Sequence, residues 1–265
     1  MNWNEANRFR IQYIRFGERL FRTMMRDITS ELKEALKDVQ TTTDIEGAVE
    51  RLQLSVNVRD YVTRLYVHTG VGMAKKIKKD LTSASKKTNF DSDIDIWTEQ
   101  MIDFVNGRCG EKIASITRQN YADIERITRN AIMAGTEEGL GAGQLARLIV
   151  KEQGNIATWR ALRIARTEVV SASNEGAMLG ADSTGIEVKK IWLATGAPGP
   201  SGYMRDDHDM MDGEEANMNE PFILPDGTQL MFPGDPSGPA EHVINCRCAV
   251  AFEPKESTID SILST

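Results

Sequence analysis

Asp182-Ser183-Thr184-Gly185-Ile186-Glu187-Val188-Lys189-Lys190-Ile191-Trp192-Leu193-Ala194-Thr195 is the stretch on which the fold class turns. Before it, apolar residues recur every three or four positions, the period of a helix. Within it, Asp182 to Gly185 break that period, and Glu187 to Thr195 are rich in Val, Ile and Trp over a length that suits a strand. After it come Gly, Pro and short apolar pairs. The expected fold is therefore α+β: a mostly helical N-terminal region, then a small C-terminal α+β domain with a short antiparallel sheet.

Upstream, Thr158 to Ala181 predicts a helix whose small residues at 172, 173, 176, 177, 180 and 181 permit close approach of another backbone. Arg166 and Glu168 are two apart, do not face each other, and each requires a partner elsewhere. The glycines at 135, 139, 141 and 143 separate a short helix, Gln144 to Lys151, from the preceding one; they lack the Gly-Lys-Ser/Thr ending of a phosphate loop. Earlier still, Phe9, Tyr13, Phe16, Leu20, Met24, Ile28, Leu32 and Leu36 form one face of a long helix, with Arg8, Arg15, Arg19, Arg22 and Arg26 opposite. Thr41 to Asp44 offer an N-cap for a short helix, and Asn57 caps the next. Ser83 to Asp95 read as a connection, and His68 and Cys109 as a packed or surface histidine and a free thiol. Three consecutive regions are expected: 1–90, basic and helical; 91–139, helical and connecting; and 140–265.

Downstream, Phe222-Ile223-Leu224 and Gln229-Leu230-Met231-Phe232 flank Pro225-Asp226-Gly227, a hairpin with a tight turn. Cys246 to Phe252 are expected to form the last strand.

Charge divides the chain as well. Residues 1–90 hold 17 Lys and Arg against 11 Asp and Glu, whereas residues 191–265 hold 3 against 13. The acidic back repels phosphate, so contact with double-stranded DNA or with an acidic protein belongs to the front. Lys75, Lys76, Lys78 and Lys79 are the densest basic cluster there. No apolar run reaches the roughly 18 residues of a membrane span. The first residues lack a signal-peptide pattern, and three cysteines do not make a disulfide framework, which predicts synthesis in a reducing cytoplasm.

Candidate chemistry concentrates in Arg205-Asp206-Asp207-His208-Asp209-Met210-Met211-Asp212-Gly213 and Glu241-His242-Val243-Ile244-Asn245-Cys246-Arg247-Cys248, which hold two of the three histidines and two of the three cysteines. If Cys246-Arg247-Cys248 is extended, its thiols share a face with Cα atoms roughly 6.6 Å apart, which suits two ligands of one metal. His208 is then a third ligand, and His242, Asp212 or Asp209 a fourth, a set that zinc accepts. The alternatives are packed cysteines beside hydrogen-bonded loops, a thiol nucleophile with His208 as base, and a magnesium site on Asp206, Asp207, Asp209 and Asp212.

The C-terminal half resembles the phage Mu protein F-like family of minor head proteins. The resemblance rests on Ile164-Ala165-Arg166-Thr167-Glu168 followed by Asn174, Trp192, Arg205 with His208, Asp212-Gly213, Pro221-Phe222, and Gly234 to Glu241 leading into Asn245-Cys246-Arg247-Cys248. It covers about residues 140–253. It marks Arg166, Glu168, Trp192, Arg205, Asp212, Gly213 and Asn245 as structural signature positions. The loop Gly196 to Tyr203 is longer than the family's usual link, and His242 stands where an aliphatic or acidic residue is expected. The resemblance implies a non-enzymatic virion component in the phage head interior, acting in procapsid assembly and DNA packaging or ejection. Its implied partners are the portal protein and the scaffold or major capsid protein, and it is made in the host cytoplasm. The rival expectation is a metal-dependent hydrolase or nucleotide-using transferase on the same C-terminal domain.

Overall fold

The computed structural model describes residues 3–82, 90–194 and 206–255. Helices dominate: α1 (Trp3–Ala35), α2 (Thr42–Glu50), α3 (Val58–Leu81), α4 (Asp91–Arg108), α5 (Gly110–Glu137) and α6 (Ala142–Asp182). Strand β1 (Val188–Leu193), the short helix α7 (Asp206–Asp209), β2 (Glu215–Asn217), β3 (Phe222–Ile223), β4 (Gln229–Leu230), the short helix α8 (Ala240–Val243) and β5 (Ala249–Pro254) complete the described chain. The α+β expectation holds. Among the described residues, no helix is long and apolar enough to cross a membrane.

Compactness divides the chain into two units that do not follow chain order. The first gathers Met1–Phe16, Thr63–Cys109 and Arg166–Thr265; the second gathers Gly17–Val62 and Gly110–Ala165. These groupings cut across the 1–90, 91–139 and 140–265 division.

In the first unit, β1 is the central strand of an antiparallel sheet ordered β2-β1-β5, and β3 pairs with β4 as the hairpin predicts. Alternation along β1 turns Val188, Lys190 and Trp192 inward. Lys190 is a charged residue on a buried face; its Nζ donates to Met231 O at 2.7 Å and lies 5.0 Å from the Phe222 ring centre. Burial pulls its pKa down to about 8. Met73 and Ile77 of α3, Val170, Ala177 and Ala181 of α6, and Trp192, Phe222, Leu230 and Val250 share one apolar core.

In the second unit, the apolar stripe of α1 buries Leu20, Met24, Ile28 and Leu32 as its spacing predicts. Thr41 begins α2 with a reciprocal capping box: Asp44 N–H donates to Thr41 Oγ1, and Thr41 N–H to the Asp44 carboxylate. Arg160 of α6 is buried and ion-paired with Asp123 of α5, and it also donates to Gln119 O at 3.0 Å. Burial alone would raise the Asp123 carboxyl; the hydrogen bond and charge of Arg160 outweigh it and hold the pKa below the ordinary 3.8. A depressed folded pKa makes this contribution fully present above the unfolded value and lost as pH falls through the folded one. Urea unfolding should therefore show Arg160→Ala about 3 kcal/mol less stable at pH 7, a deficit that shrinks below pH 4 as Asp123 protonates in the parent. A deficit of the same size at both ends would rule out the ion pair as its source.

Three local expectations need correction. Residues 144–151 and 158–181 are not separate helices but parts of α6, a single helix of 41 residues. The apolar period runs on through Leu145, Ile149, Ala161 and Ile164, and the exposed Gly154 costs a helix interior only about 1 kcal/mol. The connection expected over Ser83 to Asp95 ends sooner, because α4 already starts at Asp91; residues 83–89, with Lys86 and Lys87, lie outside the described residues. The last strand starts at Ala249, so Cys246, Arg247 and Cys248 form the turn that feeds it. Strand β2 was not foreseen.

Candidate metal centre

Helix α7 presents His208, and the turn after α8 presents Cys246 and Cys248; all three are buried. Asn245 precedes the first cysteine with φ 59°, a left-handed conformation that asparagine tolerates better than most residues. Its N–H donates to Thr167 Oγ1 at 3.1 Å, which fastens the turn to α6. On the other loop, Asp212 Oδ1 accepts from Ala194 N–H at 2.8 Å, and Gly213 N–H donates to Trp192 O at 2.9 Å, with Gly213 at φ 83°. The Trp192 indole meets the His208 ring edge-on, with centres 5.4 Å apart.

His208 Nδ1 lies 3.7 Å from Cys246 Sγ and 3.6 Å from Cys248 Sγ. Its other nitrogen, Nε2, lies 3.3 Å from His242 Nδ1, and His242 Nε2 lies 2.8 Å from the Asp226 carboxylate. Asp207 also reaches His242 Nδ1, at 3.1 Å. His242 is thus on the side of His208 away from the sulfurs, and the possible metal-holding groups are two: His208 with Cys246 and Cys248, and Asp207 with His208 and His242. Asp212 and Asp209 join neither group. Thr228 N–H, then His242, pull the Asp226 carboxyl down to about 2.

The hydrogen bond between the thiols holds Cys246 well below the ordinary thiol range, with His208 adding to it; the same bond, with burial, pushes Cys248 up. Arg10 of α1, itself 3% exposed, supplies nearby positive charge. It donates to Cys248 O at 3.0 Å, Arg247 O at 3.2 Å and Ser173 Oγ at 2.8 Å, and also to Asn174 Oδ1. Asn174 completes the tie: its Nδ2 donates to Pro233 O and Cys248 O, and its Oδ1 accepts from Val250 N–H.

Whether these donors suit a metal can be tested on distance. A tetrahedral zinc with sulfur at about 2.3 Å and nitrogen at about 2.05 Å has nitrogen–sulfur edges of about 3.6 Å. The observed 3.6 and 3.7 Å match that edge. Two thiols and an imidazole suit a borderline-soft divalent ion rather than magnesium. Each sulfur belongs to a residue 3% exposed, an arrangement for ligation more than for attack on an incoming substrate.

Of the remaining signature positions, Glu168 has a partner on another helix. It accepts from Tyr66 Oη of α3 at 2.8 Å, a partner in the N-terminal part of the chain. Arg166 is half-buried on α6, and Arg205 lies outside the described residues, as does the loop 196–203. Of the basic cluster, Lys76 pairs with Asp80 at 2.6 Å and Lys78 with Asp93 at 2.8 Å, leaving Lys75 and Lys79 exposed. Sequence reasoning missed Arg10 as well as the supporting roles of Asp226 and Asp207. The signal for Arg10 was its place on the apolar stripe of α1, opposite the other arginines.

Residues 123–251 match the family model described as Phage Mu protein F like protein. The chain carries a phage Mu F-like region. The matched region reaches further toward the N-terminus than the resemblance from 140 onward, taking in the second half of α5 and with it Asp123. Its C-terminal end falls in β5, just past the two cysteines. No curated protein and no solved structure matches the chain.

Proposed function

We propose that the protein is a minor head protein of a tailed phage, bound to the portal protein in the procapsid interior and acting in head assembly and in DNA packaging or ejection. The observation that carries this reading is the Mu F-like match across residues 123–251. The burial of His208, Cys246 and Cys248 supports a non-enzymatic role over the hydrolase or transferase alternative, because a reacting centre has to meet its substrate. In the same reading the three residues hold a structural zinc ion that ties the α7 loop to the turn before β5. The linear regions keep their roles: residues 1–90 dock, 91–139 connect, and the acidic back, with its net negative charge, keeps away from DNA.

Co-purification from an infected lysate tests the partner: the portal protein is expected to accompany the tagged chain, and its absence from washed complexes would defeat the reading. The docking contact is assigned to Lys75 and Lys79, the two members of the cluster not engaged by Asp80 or Asp93. Reversing both to Glu should weaken portal binding several-fold at low salt, with the gap closing as salt screens the contact. Equal affinity for parent and variant across the salt series would remove these lysines from the interface. Retention of duplex DNA, rather than portal, by the same lysines would reassign the surface to packaging.

A further inference from the structure

Zinc binding at this cluster is part of the proposed function; the roles of the two histidines go beyond it. We infer that His208 alone ligates the ion, through Nδ1 beside Cys246 and Cys248, and that His242 with Asp226 is an outer support that orients His208 and is not a ligand.

Three observations converge on this. The sulfurs of Cys246 and Cys248 both face Nδ1 of His208, at 3.7 and 3.6 Å, so a single ion between them is held by that nitrogen. An imidazole that binds metal through one nitrogen carries its proton on the other and must hand it to an acceptor. His208 Nε2 points to His242 Nδ1 at 3.3 Å, and the rings are nearly parallel, with an interplanar angle of 15°. His242 in turn donates from Nε2 to Asp226, on the β3–β4 turn, at 2.8 Å. The chain from metal to surface therefore runs imidazole, imidazole, carboxylate, with Asp226 of the Pro225-Asp226-Gly227 turn on Nε2 of His242 and the Asp207 carboxylate 3.1 Å from its Nδ1. Among the described residues no fourth histidine, cysteine or carboxylate joins the thiol group.

The experiment uses the full-length chain, purified without chelator, loaded with zinc for X-ray absorption and with cobalt(II) for optical spectra. Zinc absorption should fit two sulfurs and one imidazole in the inner shell. A fit to two imidazoles places His242 on the ion and overturns the assignment. In the cobalt spectra, His208→Gln should alter the ligand-field bands, whereas His242→Gln should leave their positions unchanged and weaken cobalt affinity about 10- to 100-fold. Asp226→Asn should weaken it in the same direction by a smaller factor. Matching band shifts in His208→Gln and His242→Gln, or unaltered affinity in His242→Gln, would overturn the support role. If the parent takes up neither zinc nor cobalt, the metal reading itself fails, and the inference with it. The absorption measurement on the parent stands even where a variant folds poorly.

Discussion

Arg10→Leu is expected to lower the free energy of unfolding by about 3–5 kcal/mol, an effect larger than that of most single substitutions. The guanidinium is buried among neutral acceptors: Ser173 Oγ, Asn174 Oδ1 and the carbonyls of Arg247 and Cys248. Leucine restores apolar volume and none of these bonds, so carbonyl groups in the cysteine turn are left with fewer donors in a place water does not reach. Burial lowers the Arg10 pKa to about 10, which leaves it charged at neutral pH, and its charge also faces the Cys246 and Cys248 sulfurs. Arg10→Lys should recover only part of the loss, because a single ammonium cannot span four acceptors on two segments. Denaturant unfolding followed by circular dichroism measures this as a lower midpoint at unchanged slope. A shift below about 1 kcal/mol would mean that the turn is held without Arg10.

Gly176→Ala should cost about 3 kcal/mol or more, by a different mechanism. A methyl at this position meets the carbonyl of Gly70 on α3, and one at Gly180 meets that of Ala74, so in both cases the obstacle is backbone, which has no rotamer to change. The two glycines are one helical turn apart on α6 and allow the helices to approach closely. Gly154→Ala is the matched control: the same helix, open space around the added methyl, and an expected gain of up to about 1 kcal/mol from helix propensity. If thermal unfolding places the two variants together, close approach of α3 and α6 is not what position 176 supplies.

Those glycines also show which parts of the fold can be read locally. The small residues at 172, 173, 176, 177, 180 and 181 announced a close neighbour but not its identity, because nothing near them in sequence marks Gly70. The α1 stripe, the Thr41 cap and the hairpin at Pro225-Asp226-Gly227 were legible, since each is written within a few residues in apolar spacing or turn chemistry. Strand β2 was not: Glu215, Ala216 and Asn217 have no apolar alternation, and their pairing is set by the hydrogen bonds of Gly213 and Glu214 to the Trp192 backbone. The split read into α6, between residues 151 and 158, overlooked an apolar period that continues past it. At the candidate site, His208, Cys246 and Cys248 were found from residue type and the spacing of the two cysteines. The position of His242 behind the ring depends on α8, a helix of four residues that carries no readable period.

The bond from Arg10 to Cys248 spans 238 residues of chain. During synthesis the donor leaves the ribosome long before its acceptors exist, at roughly 5–20 residues per second. Ser173 and Asn174 are made first, and the set of Arg10 acceptors is complete only when the cysteine turn arrives. A fragment cut to the family limits, residues 123–251, would keep every sulfur and imidazole of the cluster and lose Arg10, which donates to the carbonyls of Arg247 and Cys248.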